Sequence, residues 1–272
     1  MKSLAVPGTS AFMAVIGLLL LGGCAHTSAE EPRNLTAPAP ACRQETAERF
    51  SLTGRIDAAM AECVSAAFQP TTRELILRSP GGDVASALDI AQHFEGRRLT
   101  MRVRRQCSSS CANYFLPLAG RIVVESGALI ELHGSIDPWT ADRVLRRLEA
   151  ELRTQGVAAA DIPVRIESAR VKVAALVERQ AAFADRNRIS PGWLLYRTPG
   201  SDEVRGLDRR PATAGRYLLV EEPMLRSCLP GVEIDPFQAE LNRRWLRSMR
   251  RLSLMWTRTV PSDQTICSAP EN

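Results

Sequence analysis

ELILRSPGGDVASALDIAQHF, residues 74–94, sets the pattern from which the rest of the chain can be read. Glu74 to Leu77 is a short apolar run of the kind buried on both faces of a parallel sheet. Ser79-Pro80-Gly81-Gly82 is a turn, and Asp83 is placed to cap a helix. Val84, Leu88, Ala91 and Phe94 then recur at helical spacing, and Leu99 to Val103 returns to strand. Upstream the same order occurs. Phe50 to Ile56 reads as a strand, and Asp57 to Phe68 as a helix with Met60, Val64, Ala67 and Phe68 on one face. Strand, helix, strand, repeated, predicts an α/β chain with a parallel sheet.

Downstream, ANYFLPLAG (112–120) predicts a short helix broken near Pro117. Arg121 to Val124 and Ala128 to His133 are two more strands around a Ser126-Gly127 turn. Beyond them the pattern turns helical. Thr140 to Thr154 is laced with arginine and glutamate. Pro163 to Arg186 is longer, with Ile166, Val173, Leu176, Val177 and Phe183 facing inward. No internal repeat is visible.

The 272 residues, 45% hydrophobic and 24% charged, suffice for a sizeable core and exclude collagen-like or wholly disordered chains. The net charge is +5, and 33 of the 35 basic residues are arginine. Thirty acids dilute that charge and aromatics are only 5%, so nucleic acid is not an expected partner.

The first residues read as an export address. Lys2 precedes an apolar stretch from Phe12 to Leu21, then Gly22, Gly23 and Cys24. Leu-Gly-Gly-Cys resembles a bacterial lipobox, which implies cleavage before Cys24 and a diacylglycerol on its thiol. The run is short for a membrane span. Ala25 follows, with no Asp to suggest inner-membrane retention, so the expected place is the periplasmic face of the outer membrane. Residues 24–41, polar and Pro-rich, read as a tether. Six further cysteines remain: Cys42, Cys63, Cys107, Cys111, Cys228 and Cys267. Six cysteines in an exported chain point to disulfides and allow fifteen pairings. The working expectation is Cys42–Cys63, Cys107–Cys111 and Cys228–Cys267. The three histidines, His26, His93 and His133, have no zinc-ligand spacing with a cysteine pair, so no metal is expected. His93, beside Phe94, reads as structural.

Two features could carry chemistry. The Gly81-Gly82 turn lies between a buried strand and a helix, where backbone N–H groups suit an anion or an oxyanion. It is neither a P-loop nor a dinucleotide fingerprint. The second is Cys107-Ser108-Ser109-Ser110-Cys111 entering a helix, with His133 at a strand end 23 residues after Ser110. A serine at a helix start and a histidine on a neighbouring strand make a nucleophile and its base.

In this order and spacing, LILRSPGGDVASALDIAQHF, QCSSSCANYFLPLAG and RIVVESGALIELHGS resemble the proteolytic subunit of Clp. They resemble more closely its periplasmic relatives in the ClpP/crotonase superfamily. The likeness spans Leu75 to Gly134 well and runs loosely to about Asp202. It implies a spiral of ββα units with a helical C-terminal region. It makes Ser110 the nucleophile, with Ser109 in reserve because the segment from Ser110 to Gly120 is one residue longer than the usual pattern. His133 is then the general base, and the N–H groups of Gly82 and Cys111 form the oxyanion hole. The acid falls at Asp202, or next at Glu203, in a region that lacks the usual landmarks.

The expected domain covers residues 42–235. Residues 236–272 form a basic tail, in which Gln238 to Arg258 predicts an amphipathic helix with Trp245, Met249, Leu252 and Trp256 on one side. The function these readings imply is a lipid-anchored serine peptidase that cleaves peptides or unfolded segments without ATP or any other cofactor. The rivals are an inactive peptide-binding scaffold of the envelope and a crotonase-type acyl-thioester enzyme, the latter disfavoured by export. Many relatives form rings or trimers, and the sequence leaves the oligomeric state open.

Overall fold

The computed structural model describes residues 40–132, 134–195, 216–237, 256–258 and 267. Among them a mainly parallel sheet of nine strands carries the fold. The strands are β1 (Ala41–Thr46), β2 (Arg49–Thr53), β3 (Glu74–Ser79), β4 (Thr100–Ser108), β5 (Arg121–Val124), β6 (Leu129–Leu132), β7 (Arg216–Leu219), β8 (Glu233–Ile234) and β9 (Trp256–Arg258). The helices are α1 (Ala58–Ala67), α2 (Val84–Gln92), α3 (Ser110–Tyr114), α4 (Pro138–Thr154), α5 (Ile162–Asn187), α6 (Pro191–Leu195) and α7 (Glu222–Cys228).

The spatial order is β1-β2-β3-β4-β6-β7-β9, with β5 and β8 branching from β4. β2, β3, β4, β5 and β6 are joined by parallel pairings, and β1 and β7 attach antiparallel. Leu75, Ile76 and Leu77 of β3 are all buried, so both faces of the sheet centre are covered. Phe50, Phe68, Phe94 and Phe115 form a chain of edge-to-face contacts with centroids 5.2, 5.2 and 5.4 Å apart, tying α1, α2 and the end of α3 to the sheet. His93 lies edge-on to Phe68 at 6.3 Å.

The helix starts follow their capping residues. Asp57 accepts from Met60 N–H at 2.9 Å, Asp83 from Ser86 N–H at 2.7 Å, and Asp137 from Thr140 N–H at 2.6 Å. On α5, Phe183 is buried, whereas Ile166, Val173, Leu176 and Val177 are only half-buried.

The region expected to be helical after residue 133 also carries short strands: β7 and β8, held by ladders to β6 and β5, and the short helices α6 and α7 have no counterpart in the sequence reading. Three more elements differ from it. β1 has no counterpart there, because ACRQET has no apolar alternation. It is an edge strand held by its ladder to β2 and by the Cys42–Cys63 disulfide rather than by burial. β4 runs five residues past Val103, through the polar residues Arg104, Arg105 and Gln106. A bulge there, with Arg105 at φ 66°, re-aims the strand: Thr100–Val103 pair with β5, then Gln106–Ser108 with β6. Finally, Trp256–Arg258 is a strand parallel to β7 and not the end of a helix. Ladder pairing with β7 outweighs the helical spacing at Trp256; residues 238–255 lie outside the described residues.

All three expected disulfides are present, Cys42–Cys63, Cys107–Cys111 and Cys228–Cys267. Three disulfides in one chain point to an oxidising compartment outside the cytoplasm.

Candidate functional site

β3 and β4 lie side by side, with Ser79 opposite Cys107, and at that end each turns into a helix. Pro80-Gly81-Gly82 leads from β3 to α2, and Ser109 leads from β4 to α3. Both helix starts therefore meet at the carboxyl ends of parallel strands, where open α/β sheets bind their ligands.

The glycine turn is wedged. Gly81 has φ 87°, and a methyl group on it would lie 2.6 Å from Ser109 Cβ and 2.9 Å from Ser110 N. A methyl on Gly82 would run into the backbone of Ile56 on the other side. Hydrogen bonds complete the clamp: Ile56 N–H donates to Gly81 O and Asp83 N–H to Ile56 O, each at 2.9 Å, and Gly81 N–H donates to Ser79 Oγ at 3.0 Å. Only glycine lets the two chains approach this closely.

The adjacent serines have different environments. Ser110 is 2% exposed, and its hydroxyl donates to Gly82 O at 2.8 Å. Ser109 is 8% exposed, with φ 54° and ψ −127°. That conformation is costly for an L-residue, about 1–3 kcal/mol, and such strain clusters at functional sites. A strained serine on a strand-to-helix turn is the geometry of a nucleophile elbow. Among the described residues, neither Gly82 N–H nor Ser110 N–H is given to an acceptor. The Cys107–Cys111 disulfide, with Cα atoms 5.3 Å apart, bridges the end of β4 to α3 around these serines, and both cysteines are fully buried.

Two sets of residues that the sequence reading did not single out support the turn. Glu131 on β6 is 1% exposed. Its carbonyl accepts from Ser109 N–H at 2.8 Å, and its Oε2 accepts from Ser108 Oγ at 2.6 Å. The signal was a lone acid inside the apolar run Leu129-Ile130-Glu131-Leu132, all four of them buried. Tyr114, on α3, forms a buried cluster with Ser135 and Gln180. Its hydroxyl donates to Gln180 Oε1 at 2.6 Å and contacts Ser135 Oγ, which itself contacts Gln180 Oε1. Gln180 Nε2 donates to Ile136 O at 2.7 Å, so α3, α5 and the segment after residue 133 are tied together. Burial pushes the Tyr114 hydroxyl pKa well up, the Ser135 contact opposes this, and the charge of Asp83 adds to it. Trp193 of α6, fully buried, donates its indole N–H to Ala112 O at 3.3 Å.

The structure thus brings together Gly82, Ser109, Ser110 and Cys111. His133, Asp202, Glu203 and the lipidation candidate Cys24 lie outside the described residues; Leu132 and Gly134, which flank His133, lie within them. Among the described residues no group of His, Cys, Asp and Glu is placed to hold a metal ion. No protein-family model matches the chain, and no curated protein matches it.

Proposed function

We propose that this chain is a serine hydrolase of the ClpP-like class, a peptidase tethered by lipid on Cys24 at the periplasmic side of a bacterial membrane. The observation that carries the reading is Ser109, strained on the turn from β4 to α3 with the Gly81–Gly82 backbone packed against it. Ser109 is the nucleophile in this reading, and Ser110 is the brace whose hydroxyl is committed to Gly82. The unclaimed N–H groups of Ser110 and Gly82 are the oxyanion donors, each worth about 3 kcal/mol of barrier. His133 takes the Ser109 proton. The peptide carbonyl is attacked, the amine leaves with that proton, and water releases the acyl group. The parallel sheet with helices following β2, β3 and β4 is compatible with the ClpP/crotonase spiral.

One observation favours the rival reading, an inactive peptide-binding lipoprotein: both serines are nearly buried. A fluorophosphonate probe on the full chain, exported and oxidised, separates the two. The hydrolase reading expects labelling that is lost in Ser109→Ala and His133→Ala and kept, though slowed, in Ser110→Ala. No labelling of a folded wild type favours the binding protein. Loss in Ser110→Ala with labelling of Ser109→Ala returns the nucleophile to Ser110.

A further inference from the structure

We infer that the arginines at the carboxyl end of the sheet, Arg55, Arg78, Arg104 and Arg105, hold an acidic peptide segment beside the serine turn, an inference that rests on the peptide reading above. Strand alternation gives the sheet two unlike faces. Phe50 meets Phe68 on the helix side, and Leu52, Leu77 and Val103, on the same side by alternation and register, are buried. The opposite face carries Arg49, Glu74 and Arg102 toward its amino end and Arg78 and Arg104 toward its carboxyl end.

The two ends of this face differ in charge balance. At the amino end Arg49 and Arg102 share Glu74, each at 2.7 Å, and Arg121 on β5 bonds Asp235 at 2.8 Å. At the carboxyl end Arg104 pairs with Glu125 at 3.2 Å, and among the described residues Arg55, Arg78 and Arg105 have no ion-pair partner. Asp57 and Asp83, the acids that follow β2 and β3, are engaged as caps of α1 and α2. Arg55 and Arg105 are exposed, and Arg78 is half-buried. Arg105 also sits at φ 66° in the β4 bulge. Such a conformation is costly for a non-glycine residue, and it clusters at active sites and ligand clamps.

Position ties the patch to the site. Ser79 lies opposite Cys107, so Arg78 and Arg105 are on the strand ends that lead into Pro80-Gly81-Gly82 and Ser109. Arg105 precedes Ser109 by four residues, a rise of at most about 13 Å. An extended peptide with a carbonyl at Ser109 therefore brings side chains about four residues away to the arginines. A guanidinium group stays charged and pairs with a carboxylate through two parallel N–H bonds. The four groups are spread over the ends of β2, β3 and β4, about 10 Å across. That spread matches a row of carboxylates better than one isolated anion.

The test is equilibrium binding to the full, oxidised chain, read by fluorescence anisotropy. The probes are a labelled peptide alternating glutamate with alanine, and the same peptide with glutamine for glutamate. The acidic peptide should bind about tenfold more tightly at low ionic strength, and added salt should shrink the difference. Arg78→Gln and Arg105→Gln should each bind the acidic peptide about threefold more weakly and the neutral one unchanged. Arg55→Gln carries the test if either fails to fold. Arg121→Gln, at the balanced end, should bind both peptides as wild type does. Equal binding of the two peptides, or a loss in Arg121→Gln equal to that in Arg78→Gln, overturns the inference. So does tighter binding to phosphatidylglycerol than to phosphatidylcholine vesicles that is lost in Arg78→Gln while the peptides bind alike; the face then belongs to a lipid surface. Fluorophosphonate labelling separates these results from the hydrolase reading. A folded wild type that prefers the acidic peptide but does not label keeps the inference and loses the hydrolase. One that labels but shows no acidic preference keeps the hydrolase and loses the inference. Where both hold, saturating acidic peptide should slow labelling of Ser109 several-fold. Labelling unchanged by the peptide puts the bound segment away from the serine turn and overturns the inference.

Discussion

Ser110 and Gly82 face each other across the gap between two helix starts, the serine hydroxyl donating to the glycine carbonyl at 2.8 Å. That bond joins the β4–α3 turn to the β3–α2 turn, and it leaves Ser109, one residue earlier, as the serine under backbone strain. The two positions should therefore respond differently to substitution, one through its backbone and the other through its side chain. Ser109→Gly should be more stable than Ser109→Ala by about 1 kcal/mol, because glycine tolerates φ 54°. Ser110→Ala should lose about 1 kcal/mol against wild type through the missing hydrogen bond. Urea unfolding midpoints with disulfides intact decide it, and a Gly variant no more stable than the Ala variant would remove the strain argument.

Gly81→Ala should be far worse. Its methyl would sit 2.6 Å from Ser109 Cβ at a φ of 87°. Neither backbone has room to move, since Gly81 is also bonded to Ile56. A loss of about 3 kcal/mol or more is expected in the same unfolding assay, together with loss of any probe labelling at Ser109.

The disulfides should open in order. Cys107 and Cys111 are fully buried, whereas Cys42, Cys63 and Cys267 are each partly exposed. Thiol exchange needs access to sulfur. Mild dithiothreitol followed by iodoacetamide and mass mapping should modify the Cys42–Cys63 and Cys228–Cys267 pairs first, and Cys107–Cys111 only under unfolding conditions. Early modification of Cys107 would show that the serine turn between β4 and α3 opens locally.

Glu74 accepts from Arg49 Nε and from Arg102 Nε, each at 2.7 Å. Partial burial pushes its carboxyl pKa up, but the two guanidinium groups outweigh this and leave it below the usual value. A lowered folded-state pKa stabilises above the unfolded value of about 4.3. That contribution fades as pH falls from there through the folded value. Glu74→Gln should cost about 1 kcal/mol at pH 7 and converge with wild type in acid. A gap that persists to pH 2 would mean the pair contributes packing rather than charge.

Tyr114 has the opposite sign. Burial raises its pKa, so its contribution is whole below the unfolded value of about 10 and is lost as pH rises above it. Tyr114→Phe should be less stable by about 1 kcal/mol at pH 7, through the contacts to Gln180 and Ser135. Its melting temperature should then fall less than that of wild type between pH 9 and 11. Equal alkaline slopes would place the sensitivity elsewhere.

Much of the framework is legible in local sequence. Asp57 and Asp83 announce their helices because a carboxylate can cap a helix within its own first turn. The run Leu75-Ile76-Leu77 announces a strand covered on both faces. β1 and β9 are not legible, because an edge strand and a strand in a polar tail are stabilised by their neighbours' ladders rather than by their own side chains. The six cysteines say that disulfides form, and three-dimensional proximity says which.

The site divides the same way. Residue types and their order, Ser-Pro-Gly-Gly before a helix and three serines between two cysteines, pick out the turns that carry the candidate chemistry. They cannot rank Ser109 against Ser110, since adjacent residues of one type differ only in backbone angles and partners. Those are set by contacts 22 to 29 residues away: Glu131 on the Ser109 N–H, and the Gly81–Gly82 backbone against both serines. Composition and spacing are local properties of a chain. Strain, burial and close approach belong to the packed fold, because each needs a second segment to press against the first.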